Sequence, residues 1–72
     1  MEIFIVWTVL PSHHQYDRDV RGVFLSLTGA QEEARIIVAE NPHVEWRKCG
    51  ELEWLGDPDL HSVTIERSEA RP

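Results

Sequence analysis

The segment GVFLSLTGAQEEARIIVAENP, residues 22–42, decides the fold, because it predicts a strand that turns directly into a helix. Apolar residues recur there at helical spacing and form one packing stripe, which consists of Ala30, Ala34, Ile37 and Val38. Asn41 tolerates a left-handed C-terminal conformation, and Pro42 cannot continue a helix. We therefore predict a helix over about residues 29–40.

The corner before this helix contains the residues of an N-terminal cap. The Thr28 hydroxyl can accept a hydrogen bond from the amide of Gln31, whose side chain can reach back to the Thr28 amide. Glu32 and Glu33 then fall in the predicted first turn, where the helix dipole favours negative charge. A phosphate-binding corner needs several glycines, whereas this one has a single glycine. We therefore interpret the corner as structural.

Residues 2–10 predict a strand that is apolar on both faces. One face carries Ile3, Ile5, Trp7 and Val9, and the other carries Phe4, Val6, Thr8 and Leu10. A strand with one wet face should alternate with polar residues, so we place this strand in the centre of the sheet. A polar loop, residues 11–19, leads to an antiparallel second strand over about residues 20–27. Its two faces carry Val20, Gly22, Phe24 and Ser26, and Val23, Leu25 and Leu27.

The last third of the chain predicts β-structure again. Residues 44–48 form a short extended piece, and strands over about 51–55 and 60–67 flank the turn sequence GDPD at 56–59. The chain is expected to be one domain over residues 1–72, with residues 66–72 as a frayed tail. The predicted class is α+β, in the order β-β-α-β-β, with a four-stranded, mostly antiparallel sheet and one helix packed on one face.

Composition excludes several classes of function. The 72 residues include 13 acids and 7 bases, for a net charge of −6, and no basic cluster. Binding to nucleic acid or to an anionic membrane requires such clusters, so a basic protein surface is the more plausible partner. The apolar run IFIVWTVL is far shorter than the about 20 residues of a membrane helix. One cysteine, Cys49, permits no intrachain disulfide, which favours a cytoplasmic protein.

Residues with possible catalytic or metal-binding chemistry are scattered. His13 and His14 lie near Tyr16, Asp17 and Asp19, but adjacent histidines on an extended segment point apart. We therefore predict no metal and no cofactor, and assign no catalytic residue. Pairs of neighbouring acidic residues elsewhere in the chain are explained by turns and by solvent-exposed strand faces. Cys49 is expected to be a buried or half-buried structural residue. Whether Cys49 and the histidines converge into a site is left open; the histidines are His13, His14, His43 and His61.

Three tryptophans are many for so short a chain, and they are more informative than the scattered catalytic and metal-binding candidates. Trp7 is predicted to pack in the core. Trp46 and Trp54 flank Arg47, a composition typical of interface hot spots, although both rings fit equally well as a roof over a thin core. Ile36 lies opposite the packing stripe and is expected to be exposed. The predicted partner-binding residues are Phe24, Ile36, Trp46, Arg47 and Trp54.

The sequences EIFIVW, residues 2–7, and GVFLSLTGAQEEA, residues 22–34, carry a resemblance to known proteins. Together with the polar loop between them, they resemble a loose group of small uncharacterised bacterial and phage-encoded proteins. The resemblance covers about the first half of the chain and implies a small cytosolic α+β domain. It implies no function.

One helix can cover only one face of the predicted sheet, and Val20 and Phe24 are expected on the face left open. Because large apolar patches are uncommon on monomers, a second copy or a host protein is the natural cover. The hypothesis is a non-enzymatic protein-interaction module, an acidic phage or host regulator or inhibitor that forms a homodimer or binds a protein partner. The alternative is a small enzyme or ligand-binding subunit with its site at a dimer interface.

Overall fold

One antiparallel sheet and one helix make up the computed structural model, which describes residues 1–9, 18–57 and 61–69. The elements are, in chain order, β1 (Glu2–Val9), β2 (Arg18–Phe24), α1 (Leu27–Glu40), β3 (Glu45–Lys48), β4 (Glu53–Asp57) and β5 (His61–Glu69). The strand order is β2-β1-β5-β4-β3, and every neighbouring pair is antiparallel. The predicted α+β class with one helix is confirmed, but the sheet has five strands rather than four, because residues 45–48 pair with β4.

β1 is an interior strand, since it pairs with β2 on one side and with β5 on the other, but the predicted central position is taken by β5. Its register with β2 shifts halfway along: Val6 pairs with Gly22, and Trp7 pairs with Val20. Arg21 is left as the extra residue of a β-bulge. An extra residue reverses the alternation of side chains along the strand. Two β2 residues on opposite sides of the bulge therefore lie on different faces even when an even number of positions separates them.

The helix begins earlier than predicted and is capped by Ser26, not by Thr28. Ser26 has the extended backbone of an N-cap, and its Oγ accepts a hydrogen bond from the Gly29 amide at 3.1 Å. The predicted capping box is therefore wrong, and the Gln31 side chain donates instead to the Glu51 carbonyl at 3.3 Å. Because the helix starts earlier, its first turn holds no acidic residue, contrary to the prediction.

The helix ends before the Asn-Pro pair, as predicted, although with a different cap geometry. Asn41 has φ −122° and ψ 63°, which is not the left-handed conformation. Its backbone N–H donates to the Val38 carbonyl at 3.2 Å, and its side-chain amide donates to the Ile37 carbonyl at 2.8 Å. Both bonds satisfy carbonyl groups that the last turn of a helix leaves without a partner.

The core lies between α1 and the strands β1, β2 and β5. The predicted helix stripe is confirmed, since Ala30, Ala34 and Ile37 are buried and Val38 packs against them. Against this stripe the sheet contributes Phe4, Val6, Trp54, Val63 and Ile65. The alternation predicted for the last strand is also confirmed, because its apolar residues point to the core and its small polar residues point away.

β4 and β3 extend the sheet beyond the main helix contacts, and aromatic side chains cover them on the helix side. Trp54 is buried, and Trp46 packs against the core with its indole N–H donating to the Asn41 carbonyl at 3.1 Å. Gly56 lies beneath this cover, where an added Cβ would collide with the Val44 side chain and lie 3.2 Å from the Trp46 ring. The close approach therefore requires glycine.

The end of β5 differs from the sequence prediction, and two predicted loops lie partly outside the residues that the structure describes. β5 continues to Glu69, which pairs with Glu2, so residues 66–69 are strand rather than frayed tail. The predicted loop 11–19 and the predicted GDPD turn lie partly outside the described residues. In the described ranges, no helix combines the length and the apolarity needed to cross a membrane.

The Ser26 cap predicts the outcome of two alanine substitutions in the corner. Ser26→Ala should lower the free energy of unfolding by about 1 kcal/mol, because the Gly29 amide loses its acceptor. Thr28→Ala is the matched control and should change stability by less than about 0.5 kcal/mol. Urea denaturation of both variants measures the difference, and a larger loss for Thr28→Ala would contradict the cap assignment.

Candidate functional site

The sheet face opposite the helix, called here the far face, carries an apolar strip along β1 and β2. The strip consists of Ile3, Ile5, Trp7 and Val9 of β1 with Val20 and Val23 of β2. The β1 residues are half-buried, whereas Val20 and Val23 are 50% and 57% exposed. Leu25, directly after β2, is 73% exposed. The large exposed apolar side chains of β2 therefore continue the apolar row of β1.

Trp7 occupies the middle of this strip and is held by two charged side chains. Its indole N–H donates to Glu66 Oε2 at 2.9 Å, and the Arg18 guanidinium lies 3.9 Å from the ring centroid. Arg18 Nη2 is also 3.6 Å from the same carboxylate oxygen. The contacts fix the orientation of the ring through a hydrogen bond to a charged acceptor and a cation–π contact, and the two charges balance each other.

The remainder of the far face is mostly polar, with Leu55 of β4 as its apolar exception among the described residues. β5 presents hydroxyl and carboxylate side chains there, namely Ser62, Thr64, Glu66 and Ser68. On the strands beyond it, Arg47 forms an ion pair with Asp57 at 3.7 Å, and Glu53 lies beside Thr64. The far face is therefore an apolar strip bordered by polar groups, which is the usual anatomy of a protein–protein interface.

Two aromatic residues lie on the faces opposite to those that the sequence predicts. Phe24 is expected on the open face, but it pairs with Phe4 on the helix side and packs against the core. Trp7 is expected in the core, but it lies on the far face. The physical reason is that both faces of β1 are apolar, so its pattern does not choose a side, and the bulge changes the phase of β2.

The other predicted contact residues are not brought together on one surface. Trp46 and Trp54 lie on the helix side, which favours the interpretation that they roof the core. Arg47 is exposed on the far face of β3, and Ile36 is 51% exposed on the helix, as expected. Partner contact by these four residues and by Phe24 stays a prediction.

Sequence reasoning expected Val20 on the open face but missed Val23 beside it and the ion pair around Trp7. A usable signal was present, since residues 22–27 alternate and one of their two faces is wholly apolar. That signal could not select Val20 together with Val23, because three positions separate them and a regular strand would place them on opposite faces. The Arg18–Glu66 pair has no local signature, since its partners come from β2 and β5.

The open question of converging histidines has a partial answer. His61 is 9% exposed, and its ring centroid lies 6.4 Å from that of His43 and 6.1 Å from Trp46, edge-on in both cases. Its Nδ1 is buried without a hydrogen-bond partner among the described residues. Cys49 does not join this cluster as a buried residue, since it is exposed, contrary to expectation.

A metal site is not formed by the part of the chain that the structure describes. No group of three or more His, Cys, Asp and Glu side chains there could hold a metal ion. The candidate ligands on the long loop, His13, His14, Tyr16 and Asp17, lie outside the described residues.

The unpartnered His61 Nδ1 predicts how two substitutions differ. His61→Leu should keep the free energy of unfolding or raise it by about 1 kcal/mol, because it fills the space without burying an unpaired acceptor. His61→Ala should lower it by about 2 kcal/mol or more through the cavity that it leaves. Thermal or urea unfolding compares the two. An equal loss in both variants would mean that Nδ1 accepts a stabilising hydrogen bond.

Comparisons with protein-family models, with curated proteins and with solved structures find no significant match to this chain.

Proposed function

We propose that this chain is a non-enzymatic protein-interaction module that binds a partner protein through the far face of its sheet. The observation that carries the proposal is the apolar strip of β1 and β2, where Val20 and Val23 remain 50% and 57% exposed. Soluble proteins seldom leave a contiguous apolar patch open unless it serves an interaction. The polar residues on β5, β4 and β3 provide the rim that such patches have.

The side chains at the middle of the strip suit an interface. Tryptophan and arginine are the residues that contribute most often to binding hot spots. Here the Trp7 ring is already held by Arg18 and Glu66. A ring that is ordered before binding loses little conformational freedom in the complex. Trp7 therefore offers a large, preformed contact at low entropic cost.

The test is photocrosslinking in cells that produce the protein. A photoreactive phenylalanine analogue placed at Val23 should crosslink to protein in discrete, saturable adducts, because that position lies within the proposed contact. The same analogue at Ile36, which is 51% exposed on the helix, is the matched control. The contact proposed here is the far face and does not include the helix surface, so, in contrast to the sequence prediction for Ile36, this position should give no discrete adduct. The proposal is wrong if Val23 and Ile36 give the same pattern.

A further inference from the structure

We infer that the occupant of the far face is a second copy of this chain, packed face to face so that two sheets form the inside of a sandwich and a helix lies on each outer side. The inference rests on the proposed function and deepens it by naming the partner. It is supported by the shape of the face, by its area and by the distribution of charge over the fold.

The shape and the area of the far face fit another sheet better than a peptide. Five strands at about 4.8 Å spacing give a width of about 24 Å, and strands of this length give roughly 20 Å in the other direction. The projected face is thus on the order of 500 Å², with a larger accessible area, whereas a specific interface buries about 800 Å² per partner. A single extended segment covers one or two strand widths, so it could lie over the strip but would leave the polar border on β5 and beyond uncovered and bury less than this area. A second far face matches it, at the about 10 Å separation of packed sheets.

Apart from one ion pair, the charged side chains of the described residues lie away from the apolar strip. Although the net charge is −6, the charged residues that the register assigns to the far face of β1, β2 and β5 are Arg18 and Glu66, which form an ion pair. The other described acids lie on the helix, at strand ends and turns, and on the far face of β3 and β4, where Glu45, Glu53 and Asp57 accompany Arg47. Two copies can therefore meet over the strip without placing like charges in contact when their β3–β4 ends lie on opposite sides of the dimer.

Pairing through a sheet edge is the other way in which two copies could associate, and the structure opposes it at both edges, β2 and β3. β3 is only four residues long, and its Glu45, Arg47 and Lys48 are charged. The bulge at Arg21 interrupts the regular ladder of β2, and charged side chains stand along it at Arg18, Asp19 and Arg21. Both features are common devices against edge-to-edge pairing. Edge pairing would also leave the apolar strips of both copies uncovered. The face-to-face arrangement covers them.

Sedimentation equilibrium from about 5 µM to about 500 µM tests the inference directly. The protein should show a monomer–dimer equilibrium, with a dissociation constant on the order of 10 µM because half of the face is polar. Val23→Glu should raise that constant at least about tenfold, since it places a charge in the desolvated contact. Thr64→Arg on β5 should do the same, because Thr64 pairs with Trp7 at the middle of the face. Ile36→Glu is the control of equal exposure and should leave the constant unchanged.

Circular dichroism of the variants keeps loss of folding apart from loss of contact, since all three positions are at least partly exposed. Isotope-filtered NMR on a mixture of labelled and unlabelled protein should show contacts between the Trp7 ring of one copy and far-face side chains of the other. Raising the salt concentration should strengthen the dimer, because screening weakens the repulsion between two acidic chains.

Several results would overturn the inference. A dimer that ignores both Val23→Glu and Thr64→Arg, or NMR contacts confined to the β2 backbone, would place the interface elsewhere. NMR contacts between Trp7 and residues 10–17 of the same chain would show that the chain covers its own face. A protein that stays monomeric at about 500 µM, yet crosslinks through Val23 to a different protein, would refute self-association and leave the proposed function standing. Monomers without any Val23 crosslink would refute both.

Discussion

The packing of one helix against one side of a sheet whose β1 strand is apolar on both sides is the constraint on which the structure depends. A helix of 14 residues is about 21 Å long and covers the strands β1, β2 and β5 on a single face. The alternate residues of β1 remain on the other face, with the exposed valines of β2 beside them. In the part of the chain that the structure describes, α1 is the only helix, and it lies on the opposite side of the sheet. The described elements therefore leave the far face open.

Hydrogen bonds with nearby side chains satisfy backbone groups at both ends of the helix. Ser26 caps the first turn, and the side chain of Asn41 satisfies a carbonyl of the last turn. The Asn41 carbonyl then accepts from the Trp46 indole, so the helix end also positions the ring that covers β3. Because Gly56 has no side chain, this ring and Val44 can approach the strand closely. The two tryptophans of the C-terminal half thus extend a core that the helix alone does not span.

The far face combines an apolar strip with a polar border, and the proposed function depends on this combination. If the face were wholly apolar, the free chain would be prone to aggregate; if it were wholly polar, there would be little to bury. Trp7 joins the two parts, because its ring lies among aliphatic residues while its N–H reaches Glu66 on the polar strand. Arg18 completes the arrangement with an ion pair, so the middle of the surface is ordered and carries little net charge.

The sequence by itself determined the α+β class, the helix, its packing stripe, its Asn-Pro end and the interior position of β1, because each depends on residues close together in the chain. The fifth strand, the strand order and the surface that stays open were decided only in the tertiary structure. The Ser26 cap is local, but Ser26 and Thr28 both offer a capping hydroxyl, and the sequence pattern did not distinguish them. Two apolar sets alternate along β1, and only the position of the helix determines which set is buried. The bulge at Arg21 then brings Val20 and Val23 to one face, which no regular period predicts. The ion pair that holds Trp7 joins β2 to β5, strands far apart in the chain, and exists only once β1 lies between them.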